Sequence, residues 1–378
     1  MKYKLSDICH YRKGKVDVSL LTDDTYISTE NMIPNRGGIT KATTLPTVDS
    51  TQLYKKGDVL VSNIRPYFKK IWQATCDGGC SNDVLVFQAN EGFDQDYLYY
   101  VLSDDAFFAY AMKTSKGTKM PRGDKHSIMQ YETEVCDLAT QRKIASLLKS
   151  IDCKIELNNA INNNLMQQIQ SLFSDWFVTF TPFGGYKPSS WNKTDIYAIS
   201  KVIYGAPFAS KAFNTERNGV PIIRIRDLKE QQFVTYTTET HPKGYLLKPG
   251  DVVIGMDGEF RPYIWGNDKA WLNQRVCVFE NKRPNGKAFL YCVIKPLLYA
   301  IEQTQVGTTV IHIGKKDFDS FEFWLPEDCV LDKFDSLTNP MYQQIVFSLL
   351  ENKKLMVLRD TLLPKLLSGE INVSDIEL

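Results

Sequence analysis

Long apolar runs are missing from this sequence. No stretch of about 18 consecutive apolar residues occurs, so it offers no transmembrane helix. The first residues, "MKYKLSDICHYRKGK", lack the apolar centre of a secretory signal. The eight cysteines are scattered without a disulfide framework, as is usual in a reducing compartment. These absences predict a cytoplasmic protein.

Motifs that carry catalysis are missing as well. The sequence has no G-x-x-x-x-G-K-[ST] phosphate loop, no G-x-G-x-x-G after a strand and no H-E-x-x-H. "NPMY" at 339–342 lacks the second proline of the N-P-P-[YF] motif of amino-methyltransferases, and we interpret it as the start of a helix. We therefore expect no catalytic set and no cofactor bound by this chain.

Two groups of residues invite comparison with metal sites. Cys76 and Cys80 are a close pair without a second Cys/His pair, and we favour two plain loop or core cysteines. Asp251, Asp257 and Glu259 resemble a nuclease metal site. In the first half of the chain Asp58 matches Asp251, but no residue matches the other two. We favour a surface turn there and predict no metal.

The length, composition and net charge are those of an ordinary globular protein, and one segment departs from them in its local charge. A chain of 378 residues with 43% hydrophobic and 24% charged residues predicts two or three domains. The net charge of +1 gives no general affinity for polyanions. The segment 113–126, however, holds five cations against one acid. Either a solvated loop or a polyanion-binding loop explains that segment.

The chain is a tandem repeat. "GDVLVSNIRPYFKKIW" at 57–72 resembles "GDVVIGMDGEFRPYIW" at 250–265, which starts 193 residues later. Segment 117–128 matches 307–318, and 162–173 matches 352–363, both shifted by 190 residues. Aligning "RPY" with "RPY" makes Arg261 the counterpart of Arg65. Collinear matches at nearly constant spacing indicate two similar halves, each a globular segment followed by a helical one.

The helical segments are predicted at 140–177 and from about 340 to 368. Apolar residues recur there every three or four positions, and a helix of the first length spans ~57 Å. Two such helices should pair with each other. Asn158 and Asn162 interrupt the apolar stripe; they either fix the register or lie exposed, and we favour exposure. The predicted pairing residues are Ile144, Leu148, Ile151, Ile155, Leu165, Ile169, Leu172, Leu355, Leu358 and Leu362.

The globular segments predict mixed α/β structure. Strands are expected at 26–28, 59–61, 84–87, 222–225, 252–254 and 276–279, and helices at 94–113 and 286–303. The fold class is therefore α/β, with two similar mixed α/β domains joined by two long antiparallel helices that form a coiled coil. The first domain is predicted at 1–139 and the central long helix at 140–178. The second domain is predicted at 179–338, and the C-terminal long helix with its tail at 339–378.

The two similar α/β domains carry arginine, lysine and asparagine on predicted loops. This composition favours double-stranded DNA as the ligand. Arginine reads guanine and asparagine reads adenine through paired hydrogen bonds, while lysine holds phosphate. We expect the two domains to contact the DNA major groove at two places whose centres are roughly 10 bp apart. The candidate DNA-binding residues are Asn63, Arg65, Lys69, Lys70, Lys116, Lys119, Arg122, Lys125, Arg224, Arg226, Arg261, Lys315 and Lys316.

Five motifs give the whole chain a resemblance to the type I restriction-modification specificity subunits. It is the order, spacing and duplication of the motifs that make the combination specific for this family. The motifs are "YISTENMIPNRGGI" (26–39), "GDVLVSNIRPYFKKIW" (57–72), "QRKIASLLKSID" (141–152), "DWFVTFTPFGG" (175–185) and "LLPKLLSGEI" (362–371).

That resemblance implies two target-recognition domains, each reading one half of a split asymmetric DNA site. It implies that the helices set the spacer and dock two modification subunits, which bring S-adenosylmethionine and methylate adenine. Restriction subunits would bring ATP- and Mg-dependent translocation and cleavage. The second half departs from the pattern, because it has no good match to "QRKIASLLKSID" and no basic run like 113–126. An active methyltransferase or nuclease, and a scaffold that binds proteins or glycans, remain as alternatives.

Overall fold

The computed structural model of the chain describes residues 2–304 and 312–373. It contains two compact units. The first unit comprises Met1–Cys153 with Met356–Leu378, and the second unit comprises Lys154–Leu355. In the part of the chain that is described, no helix combines the length and apolar character needed to cross a membrane.

The first unit contains three sheets and a set of helices. Its strands are β1 (Lys2–Lys4), β2 (Cys9–Tyr11), β3 (Lys15–Asp17), β4 (Tyr26–Ile27), β5 (Ser50–Tyr54), β6 (Val59–Ser62), β7 (Ile71–Gln73), β8 (Gly78–Cys80), β9 (Val84–Ala89) and β10 (Glu132–Glu134). Its helices are α1 (Leu5–Ile8), α2 (Gln95–Ser103), α3 (Asp105–Lys113), α4 (Lys125–Ile128) and the first part of α5 (Leu138–Phe177). The single helix expected at 94–113 is thus wrong. Asp104 breaks it, because its carboxylate caps α3 by accepting a hydrogen bond from the backbone of Ala106.

The central sheet of the first unit is buried on both faces. Its strand order is β2-β9-β6-β7, and the pairs are antiparallel. Val59 and Val61 of β6 pack with α2, whereas Leu60 faces a second core formed with the sheet β3-β5-β8-β4. Burial of both faces explains why the sequence here is continuously apolar rather than alternating.

The second unit repeats this plan. Its strands are β11 (Asn192–Asp195), β12 (Ser200–Tyr204), β13 (Phe213–Asn214), β14 (Val220–Ile223), β15 (Tyr236–Thr237), β16 (Val252–Gly255), β17 (Pro262–Ile264), β18 (Trp271–Leu272), β19 (Val276–Asn281) and β20 (Glu322–Leu325). Its helices are the last part of α5, α6 (Lys287–Thr304), α7 (Lys315–Phe318) and the first part of α8 (Asp328–Leu367), whose last part belongs to the first unit. The central sheet, β12-β19-β16-β17, has the order of its counterpart. Every strand predicted from the sequence has a matching strand, with small differences at the ends.

Helix α8 begins at Asp328, with only two residues between it and the end of β20, well before Pro340. The expected start near residue 340 is therefore wrong, and "NPMY" lies inside the helix rather than at its beginning. Helices α5 and α8 each contain 40 residues, and their first residues, Leu138 and Asp328, are separated by the same 190 positions as the sequence repeats. The second half thus has the complete helix that its weak sequence match concealed.

Within the second unit α5 and α8 pack antiparallel. Asn158 contacts Asn352, whereas Phe173, further along α5, contacts Phe334, which is earlier on α8. Asn158 and Asn162 are 2% and 8% exposed, so the interpretation that they are exposed is wrong.

Most of the predicted pairing residues lie in the packed interiors of their units. Leu358 is an exception, because 47% of it is exposed. Buried residues are Ile144, Leu148, Ile151, Ile155 and Ile169, and half-buried residues are Leu165, Leu172, Leu355 and Leu362. The two mixed α/β regions and the antiparallel packing of α5 and α8 confirm the predicted fold class.

Candidate nucleic-acid interface

A polar groove of about 730 Å³ opens on the first unit. One wall is formed by the segment after β4, and the other by the segments after β6 and after α3. Its lining includes Ser28, Asn31, Thr44, Ser62, Ile64, Arg65, Lys70, Asp83 and Arg122. Most of these side chains are polar, so the groove can exchange hydrogen bonds with a ligand.

Backbone hydrogen bonds bring two of the predicted DNA-binding segments together in this groove. The backbone of Asn63, just after β6, donates to the carbonyl of Asp83 (2.8 Å) and accepts from Gly123 (3.1 Å). Arg65 donates its backbone N–H to Pro121 (2.8 Å). A Cβ at Gly123 would lie 2.6 Å from Oδ1 of Asn63, so this close approach requires glycine. The cationic segment is therefore fixed against the end of β6.

Arg65 has a left-handed backbone conformation, with φ of 50°. It precedes a short 3₁₀ turn, Pro66–Phe68, and the following Lys69 is left-handed too. Such a conformation costs about 1–3 kcal/mol for a residue other than glycine, and it is found most often at ligand-binding sites. The tip of the 33–38 turn supports the 3₁₀ turn, because the backbone of Asn35 donates to Phe68 (2.8 Å).

Two buried polar atoms just after β6, one of them on the groove-lining Arg65, have unused hydrogen-bonding capacity. Oδ1 of Asn63 and Nε of Arg65 are buried, and within the described residues neither has a hydrogen-bond partner. Leaving such an atom unsatisfied costs about 1–3 kcal/mol. A ligand in the groove that supplied an acceptor to Arg65 would recover this energy.

Several predicted DNA-binding cations are instead held by neighbours in the first unit. Nζ of Lys116 donates to Asp124 (2.7 Å), and this bond holds the pKa of Asp124 well below its usual range. Lys69 pairs with Asp105 (2.8 Å), and Lys70 donates to the carbonyl of Thr29 (2.6 Å).

Lys119 and Lys125 differ from those three lysines. Both are exposed, and no ion pair to either is found within the described residues. Among the predicted DNA-binding residues of segment 113–126, they are therefore the cations best placed to reach a phosphate.

The second unit has the same junction of three segments. The backbone of Met256 donates to the carbonyl of Arg275 (2.9 Å) and accepts from Ile313 (2.9 Å). Oδ1 of Asp257 lies 2.6 Å from Nδ1 of His312. Residues 307–311 of the predicted repeat match lie outside the described residues.

Arg261 is not the counterpart of Arg65, so the alignment of the two "RPY" motifs is wrong. In the first unit Ile71 pairs with Val61, and Lys70 precedes Ile71. In the second unit Pro262 pairs with Ile254, the residue that corresponds to Val61, and Arg261 precedes it. Arg261 therefore takes the place of Lys70. Its guanidinium forms an ion pair with Glu302 of α6.

The remaining predicted residues of the second unit differ in exposure. Arg224 is half-buried and hydrogen-bonded to Thr235. Arg226, Lys315 and Lys316 are exposed. Trp265, which shares the "IW" motif, is completely buried and is a core residue.

Sequence reasoning missed one position that the structure brings to the junction. Asp83 and Arg275 directly precede β9 and β19 and so lie at matching places. A signal for this was present, because "NDVLVF" and "QRVCVF" align in the two halves with only that residue changing charge.

The candidate metal sites do not assemble. Within 2–304 and 312–373, no three histidine, cysteine, aspartate or glutamate side chains come together in a way that could hold a metal ion. Asp251 is buried and accepts hydrogen bonds from Tyr245 (3.0 Å) and the backbone of Lys248 (2.8 Å). Cys80 is buried in β8 and Cys76 is half-buried, and both are free thiols.

Comparison with known proteins identifies the family. The family model described as the type I restriction modification DNA specificity domain matches residues 1–167 and 188–345. The type I restriction enzyme MjaIX specificity subunit of Methanocaldococcus jannaschii is 25% identical over 86% of this chain and 80% of its own length. The HindI specificity subunit of Haemophilus influenzae is 22% identical over 98% and 99%.

A solved structure has the same fold. The crystal structure of a type I restriction-modification S subunit from M. genitalium matches 97% of this chain and 96% of its own, with a TM-score of 0.60 and 15% identity. Two mixed α/β regions, each followed by a long helix, agree with that match. The chain therefore belongs to the family of type I restriction-modification DNA specificity subunits and, as a specificity subunit, is itself non-catalytic.

Proposed function

We propose that each unit reads one half of a split, asymmetric DNA site. The recognition parts are residues 1–139 and 179–338, and helices α5 and α8 set the spacer and dock two modification subunits. The junction of three segments supports this most directly. It gathers residues from separate parts of the chain at the polar groove, and the second unit repeats it with different side chains.

In the first unit Asn63 and Arg65 contact base edges, since both have unsatisfied polar atoms just after β6, where Arg65 lines the groove. Lys119 and Lys125 contact phosphates. Lys69, Lys70, Lys116 and Arg122 hold the loops through their intramolecular partners. In the second unit Arg226, Lys315 and Lys316 contact DNA, while Arg224 and Arg261 support the loops.

The chemistry takes place on partner subunits in the cytoplasm. Two modification subunits bind S-adenosylmethionine and methylate adenine in each half of the site. Restriction subunits use ATP and Mg to translocate and cleave. Lys119 and Lys125 support the DNA assignment, because they are exposed cations of the segment whose Met120 and Arg122 line the groove, and such cations match the phosphates that flank a base-reading contact.

The test is co-expression with the modification subunits in a host that lacks adenine methylation, followed by genome-wide mapping of methyladenine. A split motif with one methylated adenine in each half is expected. Arg65→Ala should relax one base position in one half only, at about 1–3 kcal/mol. Lys56→Ala, which removes an exposed cation of the turn before β6 outside the groove lining, is the control and should leave the motif unchanged. A complex that assembles but methylates no split motif would overturn the proposal.

A further inference from the structure

The two units differ in charge at one position of their shared junction. Asp83 directly precedes β9, which pairs with β6, and Arg275 directly precedes β19, which pairs with β16. Each accepts, through its carbonyl oxygen, a hydrogen bond from the residue that follows that neighbouring strand: Asn63 for Asp83 (2.8 Å) and Met256 for Arg275 (2.9 Å). The two backbones are therefore equivalent, and only the side chains differ.

In the first unit this position is an acid that holds a cation. Asp83 lines the polar groove beside Arg122. Nη2 of Arg122 donates to its carboxylate at 3.1 Å. Asp83 therefore positions Arg122 at the groove.

In the second unit the same position is a cation that is not held in this way. Oδ1 of Asp257 lies 2.6 Å from Nδ1 of His312, but Nη1 of Arg275 is 3.7 Å from that oxygen, which is beyond hydrogen-bond distance. The Arg275 side chain is 57% exposed. Arg261, by contrast, places two guanidinium nitrogens on Glu302. The fork of N–H donors on Arg275 is thus available to a ligand.

We propose that Arg275 is a specificity-determining residue of the second unit and contacts a guanine in its half-site. The planar guanidinium matches the O6 and N7 acceptors of guanine with two parallel hydrogen bonds, which lysine cannot reproduce. The exchange of Asp83 for Arg275 is then one reason why the two half-sites differ in sequence. This inference rests on the proposed function.

The experiment uses the full chain in complex with its modification subunits. Variants Arg275→Ala and Arg275→Lys are compared with Lys295→Ala, which removes an exposed cation of α6. Methyladenine mapping gives the motif, and binding to duplexes with single base changes gives the discrimination. Both Arg275 variants should lose roughly 5- to 150-fold discrimination at one guanine of a single half-site, with the other half unchanged. Lys295→Ala should keep the wild-type motif.

Two results would overturn the inference while leaving the proposed function intact. In the first, Arg275→Lys behaves as wild type and Arg275→Ala weakens binding to all duplexes equally, which would identify a phosphate contact. In the second, both variants keep the full sequence preference and affinity. If the wild-type complex methylates no split motif, the proposed function itself fails. Should Arg275→Ala unfold, Arg275→Lys decides the question, because it keeps the charge and the aliphatic part of the side chain.

Discussion

Asn158 of α5 donates a hydrogen bond from Nδ2 to Oδ1 of Asn352 on α8 (2.8 Å), within the packed interface of the two helices. The amide of Asn352 in turn donates to Asn159 (2.8 Å), so the three asparagines form a polar layer that is buried at Asn158 and Asn352 and exposed at Asn159. Such a layer is satisfied in one register only, because a shift of one helix along the other separates the amides. It therefore fixes the antiparallel register in the second unit.

Replacing Asn158 by alanine is expected to lower the free energy of unfolding by about 1–3 kcal/mol, since Asn352 keeps a buried acceptor without its donor. The double variant Asn158→Leu with Asn352→Leu should be at least as stable as the single variants Asn158→Leu and Asn352→Leu. Chemical denaturation of the wild type, these two single variants and the double variant gives the coupling energy, which we expect at roughly 0.5–3 kcal/mol. Asn163→Ala, an exposed change in the same helix, should stay within about 0.5 kcal/mol of wild type. Strict additivity of the two single changes would contradict a role for the pair.

Asp58 and Asp251 occupy matching turns, but they have different partners. Asp58 accepts two hydrogen bonds from the guanidinium of Arg12. Asp251 has Tyr245 as a neutral partner (3.0 Å), and Nζ of Lys287 is 3.7 Å away. Asp58→Asn should therefore cost about 3 kcal/mol, because it leaves Arg12 without a charged partner. Asp251→Asn should cost about 1 kcal/mol or less at neutral pH, and denaturant titrations at pH 7 compare the two.

The Asp251 variant should also change the pH dependence of stability. Burial raises the pKa of Asp251 above its ordinary value of 3.8. The folded state therefore binds this proton more tightly than the unfolded state. The resulting stabilisation is complete below the unfolded pKa and is lost as the pH rises through the folded pKa. Relative to wild type, Asp251→Asn should thus become more favourable as the pH is raised from about 4 to 7. A difference that does not vary with pH would contradict this reasoning.

The sequence predicted the features that depend on local pattern and repetition. Strands such as 59–61 and 252–254 are apolar segments after a Gly-Asp turn, and their duplication gave the two-unit plan. The start of α8 was missed because Pro340 resembled a boundary, although a packed helix tolerates it. The correspondence of Arg65 with Arg261 failed because identical letters do not fix strand register. Pairing of Pro262 with Ile254 is a long-range contact that sequence alone does not specify.

Gly123→Ala should weaken DNA recognition by the first unit without unfolding it. The added Cβ would lie 2.6 Å from Oδ1 of Asn63 and 2.8 Å from Cδ1 of Ile128, so the cationic segment must move away from the end of β6. We expect a loss of about 1–3 kcal/mol in stability, typical of overpacking, and a larger loss of preference in one half-site. Gly314→Ala is the control, because its added Cβ meets no atom within 4 Å. Equal behaviour of the two variants in thermal unfolding and methylation mapping would contradict the tight junction.

Lys119 and Lys125 should contribute to DNA affinity without regard to sequence. Each is exposed, so each can neutralise a phosphate and release a counterion on binding. Alanine at either position is expected to reduce the slope of log K against log salt concentration by about 0.9 and to leave the methylated motif unchanged. Lys55→Ala is the matched control, since that lysine lies outside segment 113–126 and pairs with Asp77. Binding of duplexes by the assembled complex across a salt series measures the slopes. Retention of the wild-type slope by both variants would mean that the segment 113–126 is a solvated loop, and the phosphate contacts would then have to come from elsewhere.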